Sequence, residues 1–186
     1  MKVYIQKGKD PIETTREILQ IAKPKINGSV LIKPNLTMPF SYKTNICTSP
    51  LVVEGIIDYL RKVGIEDIVI GEGAGGALDM SQIFEVTGYK ELSERLGVPL
   101  VNLNKDEKVK LKIENGYSLK EIFVAKTCLD RFVINVPKMK THRMAGVTLA
   151  MKNMMGIILP YDGKNIMHPV YEKLVKTALK EKRVLT

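Results

Sequence analysis

The sequence has no tryptophan, only four phenylalanines and only two cysteines, Cys47 and Cys128. Two cysteines without a pairing motif argue against a secreted disulfide framework, and we expect both to be isolated, reduced side chains. No stretch approaches the ~20 apolar residues of a membrane span. The amino terminus also lacks the apolar core of a signal peptide. We therefore expect a cytoplasmic protein without a membrane partner.

Acidic residues are scarce in the last third of the chain. Residues 1–136 hold 19 Lys/Arg and 17 Asp/Glu, whereas residues 137–186 hold 10 Lys/Arg and 3 Asp/Glu. A basic region can contact nucleic acid, an acidic partner or an anionic substrate, but it can also be a solvated helix. That helix would carry Lys173, Lys176, Lys180, Lys182 and Arg183. The few aromatic residues disfavour the base stacking that a nucleic-acid-binding protein would use. Frequent Lys and Glu with little Gln are typical of a protein from a thermophile.

Predicted strands and helices alternate along the chain. The strands are Val3–Gln6, Ser29–Ile32, Asp67–Ile70, Pro99–Leu103 and Arg131–Val136. The helices begin at Asp10, at Thr48 or Ser49, at Met80 (broken at Gly88) and near Lys126. This order predicts one α/β domain over residues 1–186, with a largely parallel open sheet and helices on both faces in Rossmann-like layers. Lys108–Ile113 and Ser118–Val124, joined by Asn115-Gly116, predict a β-hairpin excursion.

Polar residues follow the predicted strands. Right-handed crossovers place every strand-to-helix loop along one edge of a parallel sheet, where ligands of α/β proteins bind. The loops that meet there contain Lys33-Pro34-Asn35, Gly71-Glu72-Gly73, Asn102 with Asn104, and Lys138–His142. We therefore predict a site at the carboxyl ends of the strands.

The residue types at this edge favour anion binding. Lys33, Lys138, Lys140 and Lys152 would supply positive charge, and Glu72 and His142 are a candidate proton-transfer pair. Glu72 alone cannot neutralise four lysines, which implies a bound phosphate or carboxylate. A predicted helix after His142 carries an apolar stripe and places Thr148 and Lys152 four residues apart, with Lys152 over the cleft. The stripe consists of Val147, Met151, Met154 and Met155.

Simpler explanations exist for each of these features. Pro34 can end a strand and leave Lys33 exposed, and the methionines can fill a core. The glycines from Gly71 to Gly76 lack dinucleotide-binding spacing, and no Gly-Lys-Ser/Thr follows them. His142 and His168 lack partners at metal-ligand spacing, so we expect no metal site.

Three runs of sequence resemble one known family. VLIKPNL at Val30–Leu36, VIGEGAGG at Val69–Gly76 and KMKTHRMAGVTLAMKNMMGIILP at Lys138–Pro160 are similar to the domain of unknown function 362 family. Its members are often described as iron–sulphur proteins, because many carry a ferredoxin-like module. The resemblance implies a polar signature at Lys33, Asn35, Glu72, Gly73, Lys138, Lys140, Thr141, His142, Lys152 and Asn153.

The chain departs from this family in two respects. It lacks the C-x-x-C-x-x-C runs that ligate a cluster, so we expect no iron–sulphur cluster within it. The family usually continues into a further strand and a Gly-rich acidic loop, so we expect a short or truncated member. The edge left open would then favour a homo-oligomer.

The function that we expect is that of an enzyme or enzyme-like domain that binds a small anionic metabolite at the strand edge. The family has no generally established activity, and the sequence identifies no cofactor. Two alternatives stay open. One is a non-catalytic partner domain in a redox (iron–sulphur) system, and the other is a nucleic-acid-binding protein that uses the basic last third.

Overall fold

A five-stranded sheet, in which all neighbouring strands are parallel, forms the centre of the fold. The computed structural model describes residues 2–73, 78–115, 120–142, 146–159 and 184–185. The strands of this sheet are β1 (Val30–Pro34), β2 (Ile68–Glu72), β3 (Leu100–Asn102), β6 (Phe132–Val136) and β9 (Val184–Leu185). Within the described residues their order across the sheet is β3-β2-β1-β6-β9.

The two strands with the strongest apolar runs lie inside this sheet. All five residues of β1 are buried, and so are all five of β2. A strand of a parallel sheet that is covered on both faces needs apolar residues in succession, because neither face meets water. The sequences VLI in β1 and IVI in β2 satisfy this requirement.

Four helices contribute to the core cluster on one face of the sheet, the face on which Val30, Ile32 and Ile70 lie. They are α1 (Pro11–Ala22), α2 (Pro50–Lys62), α3 (Met80–Val86) and α4 (Tyr89–Leu96). Asp10, Ser49 and Asp79 cap α1, α2 and α3, each accepting hydrogen bonds from backbone N–H groups of the first turn. Gly88, at φ 80°, separates α3 from α4. The predicted starts and the predicted break are therefore confirmed.

Shorter elements cover the opposite face, where Leu31, Val69 and Val133 form a second core cluster. They are the antiparallel hairpin β4 (Lys108–Lys112) and β5 (Glu121–Ala125), α5 (Thr127–Asp130), α6 (Ala150–Asn153) and a 3-10 helix (Met154–Ile157). Met154 and Ile158 reach the core from this last segment. The α/β fold with a parallel sheet and a hairpin excursion is thus confirmed.

The predicted strand Val3–Gln6 is wrong. These residues form no regular element, and Val3 and Ile5 are 74% and 91% exposed. Their alternating pattern suits a half-buried strand, but β1 already has β2 on one side and β6 on the other. A strand without a neighbour cannot satisfy its backbone, so local pattern alone does not produce one.

The predicted helix directly after His142 is also wrong. A second antiparallel hairpin, β7 (Lys140–His142) with β8 (Gly146–Thr148), takes its place, and α6 begins only at Ala150. Thr148 therefore lies on a strand and shares no helix face with Lys152. The apolar stripe is divided as well, because Met154 is buried while Val147 and Met151 are exposed. The β-branched pair Val147-Thr148 suits a strand.

Several sequence-based predictions lie outside the described residues. They concern Ala74–Gly76 of the Gly-rich loop, Gly116 and Ser118 of the predicted hairpin turn, His168, and the basic helix from Lys173 to Arg183.

Candidate functional site

The ends of three neighbouring strands bring the candidate residues to one edge. In the β1–β6 register, Lys33 lies opposite Asn135 and Pro34 lies opposite Val136. Glu72 is the last residue of β2, which pairs with the other side of β1. Because the three strands are parallel, Lys33, Glu72 and the segment after β6 share the carboxyl edge. The predicted convergence of these loops is therefore found.

Lys33 and Glu72 form a buried ion pair. The Lys33 Nζ lies 2.6 Å from Glu72 Oε1, and the two side chains are 0% and 4% exposed. The same ammonium group also donates to Asn153 Oδ1 at 3.2 Å and to the Pro34 carbonyl at 3.3 Å. An ammonium group has three donors, and all three are used. Lys33 is therefore enclosed, and the prediction that it could be an exposed lysine is wrong.

The carboxylate of Glu72 holds two loops in place. Its Oε2 accepts a hydrogen bond from the Leu36 N–H at 2.9 Å, in the loop after β1. Its Oε1 accepts one from the Gly73 N–H at 2.8 Å, in the loop after β2. Charge-assisted bonds to backbone amides are among the stronger ones in proteins. Glu72 thereby fixes the start of both loops against Lys33.

Asn153 connects this ion pair to the third strand. Its Nδ2 donates to the Lys33 carbonyl at 3.2 Å and to Asn135 Oδ1 at 2.7 Å. Its Oδ1 accepts from Lys33 Nζ and from Asn35 Nδ2, the latter at 3.1 Å. All four hydrogen-bonding positions of this buried amide are occupied, so its orientation is determined. Asn153 is thus the centre of the network.

Asn35 contributes an acceptor that is not used. Its N–H donates to Thr48 Oγ1 at 3.0 Å and its Nδ2 donates to Asn153. Its Oδ1 is buried and has no hydrogen-bond partner among the described residues. Exchanging the two amide atoms would place Oδ1 against Asn153 Oδ1, which is itself an acceptor. The network therefore directs Asn35 to present an unpaired carbonyl oxygen, a group that water or a ligand donor can satisfy.

Two glycines allow the 3-10 helix to lie directly on the ion pair. A Cβ at Gly156 would lie 2.2 Å from Glu72 Oε1 and 2.8 Å from Lys33 Nζ. A Cβ at Gly73 would lie 2.2 Å from the Gly156 carbonyl oxygen. Real Cβ atoms do not approach so closely, and the backbones can meet here only because both residues lack one. Gly73 and Gly156 therefore let the 3-10 helix cover the buried ion pair.

Lys138 and Lys140 lie over the loop that follows β1. The Lys138 Nζ donates to Asn45 Oδ1 at 3.3 Å, and the Lys140 Nζ donates to Thr37 Oγ1 at 3.4 Å. Burial lowers the pKa of Lys140, and the nearby charges of Lys152 and Lys138 lower it further, while Cys47 and Glu72 act in the opposite direction. The charges of Lys138, Lys152 and Glu72 thus all act on Lys140.

The remaining predicted residues lie on the second hairpin. Thr141 is exposed, whereas His142, at the end of β7, is half-buried. Sequence analysis missed Asn135, Thr48 and Gly156. The isolated Asn135 within the apolar run RFVINV was a usable signal, because a buried amide requires partners. Thr48 gave a weaker signal, because a threonine at the start of a helix is already explained as a helix cap.

The two cysteines are unpaired and buried. Burial raises the pKa of the Cys47 thiol and raises the pKa of Cys128 to about 12. Both side chains are therefore thiols at neutral pH, whereas a nucleophile or metal ligand must be a thiolate.

Two features are absent from the described residues. None of the helices in them is long and apolar enough to cross a membrane. Nowhere in the described ranges do three or more His, Cys, Asp or Glu side chains come together so that they could hold a metal ion.

Comparison with known proteins identifies a relative and a family. The thylakoid-associated protein sll1697 of Synechocystis sp. is 26% identical over 135 residues, which are 72% of this chain and 40% of that protein. The chain thus spans less than half the length of this relative. A family model described as domain of unknown function (DUF362) matches residues 30–184, which include every site residue described above. The chain belongs to this family.

Proposed function

We propose that the carboxyl edge of the sheet binds a small phosphate or carboxylate anion. The observation that carries this proposal is a local excess of positive charge. Lys138 and Lys140 both contact the loop after β1, and the charges of Lys138 and Lys152 act on Lys140. In the described part of the chain none of these three ammonium groups forms an ion pair. The nearby carboxylate, Glu72, is already paired with Lys33. Like charges brought together in this way favour an anion between them.

The buried hydrogen-bond network supports this role by holding the binding loops in place. Lys33, Glu72 and Asn153 saturate one another, so in this proposal they position the loops rather than contact the anion. The N–H of Gly73 is engaged by Glu72 and is likewise not available to a ligand. Asn35 differs, because its Oδ1, which no described residue binds, can accept a hydrogen bond from a hydroxyl of the bound molecule. Binding groups held by such a network need little reorganisation.

His142 is the side chain that could exchange a proton with the bound molecule. It follows Lys140 and Thr141 on β7, and histidine is the side chain that most often transfers protons in enzymes. Glu72, the other predicted proton-transfer group, accepts three hydrogen bonds where it lies. We therefore assign the proton-transfer role to His142 and the positioning role to Glu72. An enzyme or enzyme-like domain for a small anionic metabolite fits these assignments.

Replacing Lys140 with alanine tests the proposal. We expect inorganic phosphate or acetate to bind about 10–100-fold more weakly, because one charge-assisted hydrogen bond contributes about 1.5–3 kcal/mol. The melting temperature should change little, since the side chain is not part of the core. Isothermal titration calorimetry measures the affinity. Lys62→Ala, which removes an exposed lysine from the end of α2, is the matched control and should bind like the native chain.

The pH dependence of binding gives a second readout. The lowered pKa of Lys140 means that its ammonium group loses its proton at a lower pH than an ordinary lysine. Anion affinity should therefore fall as the pH rises through this pKa, and the fall should be weaker in Lys140→Ala. Equal affinity of the native chain and Lys140→Ala for the anions tested, at every pH, would refute the proposed site.

A further inference from the structure

The hairpin β7–β8 turns its polar residues toward the protein and its apolar residues toward solvent, which is the reverse of the usual arrangement. From Lys138 to His142, residues alternate between half-buried and exposed: Lys138, Lys140 and His142 are half-buried, whereas Met139 and Thr141 are exposed. A hairpin with one covered face normally turns its apolar residues inward. Here the inner side is occupied by the polar residues of the candidate site, and the apolar side chains face outward.

The exposed apolar side chains are neighbours. Thr141 pairs with Val147 and Lys140 with Thr148, so by the alternation of a strand Met139 and Leu149 follow on the same side as Val147. Met139 is 69% exposed, Val147 57% and Leu149 43%, and Met151 beyond them is 42% exposed. These four side chains, Met139, Val147, Leu149 and Met151, are the outer apolar face. Adjacent exposed apolar residues of this kind mark an interaction surface.

The charge around this face favours an anionic partner. Between residues 137 and 161 the sequence has four basic residues and no Asp or Glu. They are Lys138, Lys140, Arg143 and Lys152. A second copy of the chain would bring two such basic segments against each other, which opposes self-association through this face.

The size of the face favours a membrane over a protein partner. A typical protein–protein interface involves roughly 20–30 residues on each side, and lysine is depleted at its core. A membrane surface requires only a few apolar side chains that enter the headgroup region, together with basic residues attracted to anionic lipid. Four apolar side chains among lysines match the second requirement.

We propose that the outer apolar face docks on the surface of a bilayer that contains anionic lipid. Met139, Val147 and Leu149 enter the headgroup region, and the positive charge of the segment that carries them attracts the anionic lipid across the short distance to the bilayer surface. This peripheral contact requires no spanning helix. The sequence-based expectation of no membrane partner rested on the lack of a span, and it does not address a contact of this kind. The apolar contact does not depend on anion binding on the inner side of the hairpin, although the charges of Lys138, Lys140 and Lys152 act in both proposals.

Sedimentation with lipid vesicles tests the proposal on the full chain. We expect the chain to sediment with vesicles of phosphatidylcholine mixed with phosphatidylglycerol, to stay in solution with phosphatidylcholine alone, and to be released by added salt. The triple variant Met139→Ser, Val147→Ser, Leu149→Ser should lose binding by about tenfold or more. The matched control carries Ile21→Ser and Val63→Ser, two apolar residues that are 59% and 50% exposed, the first on α1 and the second at the C-cap of α2, and it should bind like the native chain.

Three outcomes would overturn the proposal. The first is equal sedimentation with neutral and anionic vesicles or none with either. The second is unchanged binding of the triple variant while circular dichroism and the melting temperature show it folded. The third is a dimer in light scattering that the triple variant alone abolishes, which would assign the outer apolar face to a second copy of the chain.

Discussion

Replacing Glu72 with glutamine is expected to lower the free energy of unfolding by about 3–5 kcal/mol. The substitution keeps the size of the side chain but leaves the Lys33 ammonium group buried without its counter-charge. In either orientation the new amide nitrogen also faces a hydrogen-bond donor, because Oε1 accepts from Lys33 Nζ and the Gly73 N–H, and Oε2 accepts from the Leu36 N–H. Urea unfolding followed by circular dichroism measures the free energy of unfolding. In thermal unfolding the same loss should lower the melting temperature by roughly 6–20 °C.

Glu85→Gln is the matched control for this experiment. Glu85 pairs with Lys90 at 3.8 Å, and both side chains are more than half exposed. Exposed pairs contribute about 0–1 kcal/mol, so this variant should unfold nearly like the native chain. The combined change Lys33→Met with Glu72→Leu should recover part of the loss, because it removes both charges together. If Glu72→Gln were as stable as Glu85→Gln, the buried ion pair would not organise the site.

Replacing Gly156 with alanine is expected to cost about 1–3 kcal/mol or more. The added methyl group would lie 2.2 Å from Glu72 Oε1 and 2.9 Å from Lys33 Cε. Neither partner can yield cheaply, because each is buried and held by further hydrogen bonds. The 3-10 helix must therefore move away from the ion pair. Thermal unfolding measures the loss, and a shift of the Asn153 side-chain amide resonances would report the displacement.

Gly64→Ala separates this steric effect from backbone strain. Gly64 has a φ of 85° and no atom within 4 Å of an added Cβ, so its replacement costs only the strain of the left-handed region. Gly64→Ala should therefore leave the Asn153 resonances in place. An unchanged spectrum and native stability for Gly156→Ala would contradict the close contact described here.

Sequence reasoning brought the predicted residues to one edge of the sheet but did not predict how they contact one another. The alternation of buried strands and helices was enough to bring Lys33 and Glu72 to one edge, because the topology of a parallel sheet follows from a few chain-wide rules. It did not reveal that Lys33 is enclosed, since burial depends on the segment 120 residues away that contains Asn153. The role of Gly156 was hidden for the same reason.

The two incorrect elements have a common cause. The pattern of Val3–Gln6 suits a strand, and the methionines after His142 recur with helical spacing, so both predictions followed the local period. The structure instead follows tertiary pairing: β1 has no free edge for Val3–Gln6, and β7 recruits residues Gly146–Thr148 as its partner. The expected homo-oligomer and the expected lack of an iron–sulphur cluster are not decided by such contacts and stay predictions.

The bonds from the Leu36 and Gly73 amides to Glu72 have a consequence for hydrogen exchange. Loop amides usually exchange quickly with solvent deuterium, because their protons face water. These two protons are held by a buried carboxylate, and they can exchange only when the ion pair and the overlying 3-10 helix separate. Their exchange rates therefore measure the free energy of opening the site, at two positions that need no label. A bound anion that tightens the edge should slow both amides together.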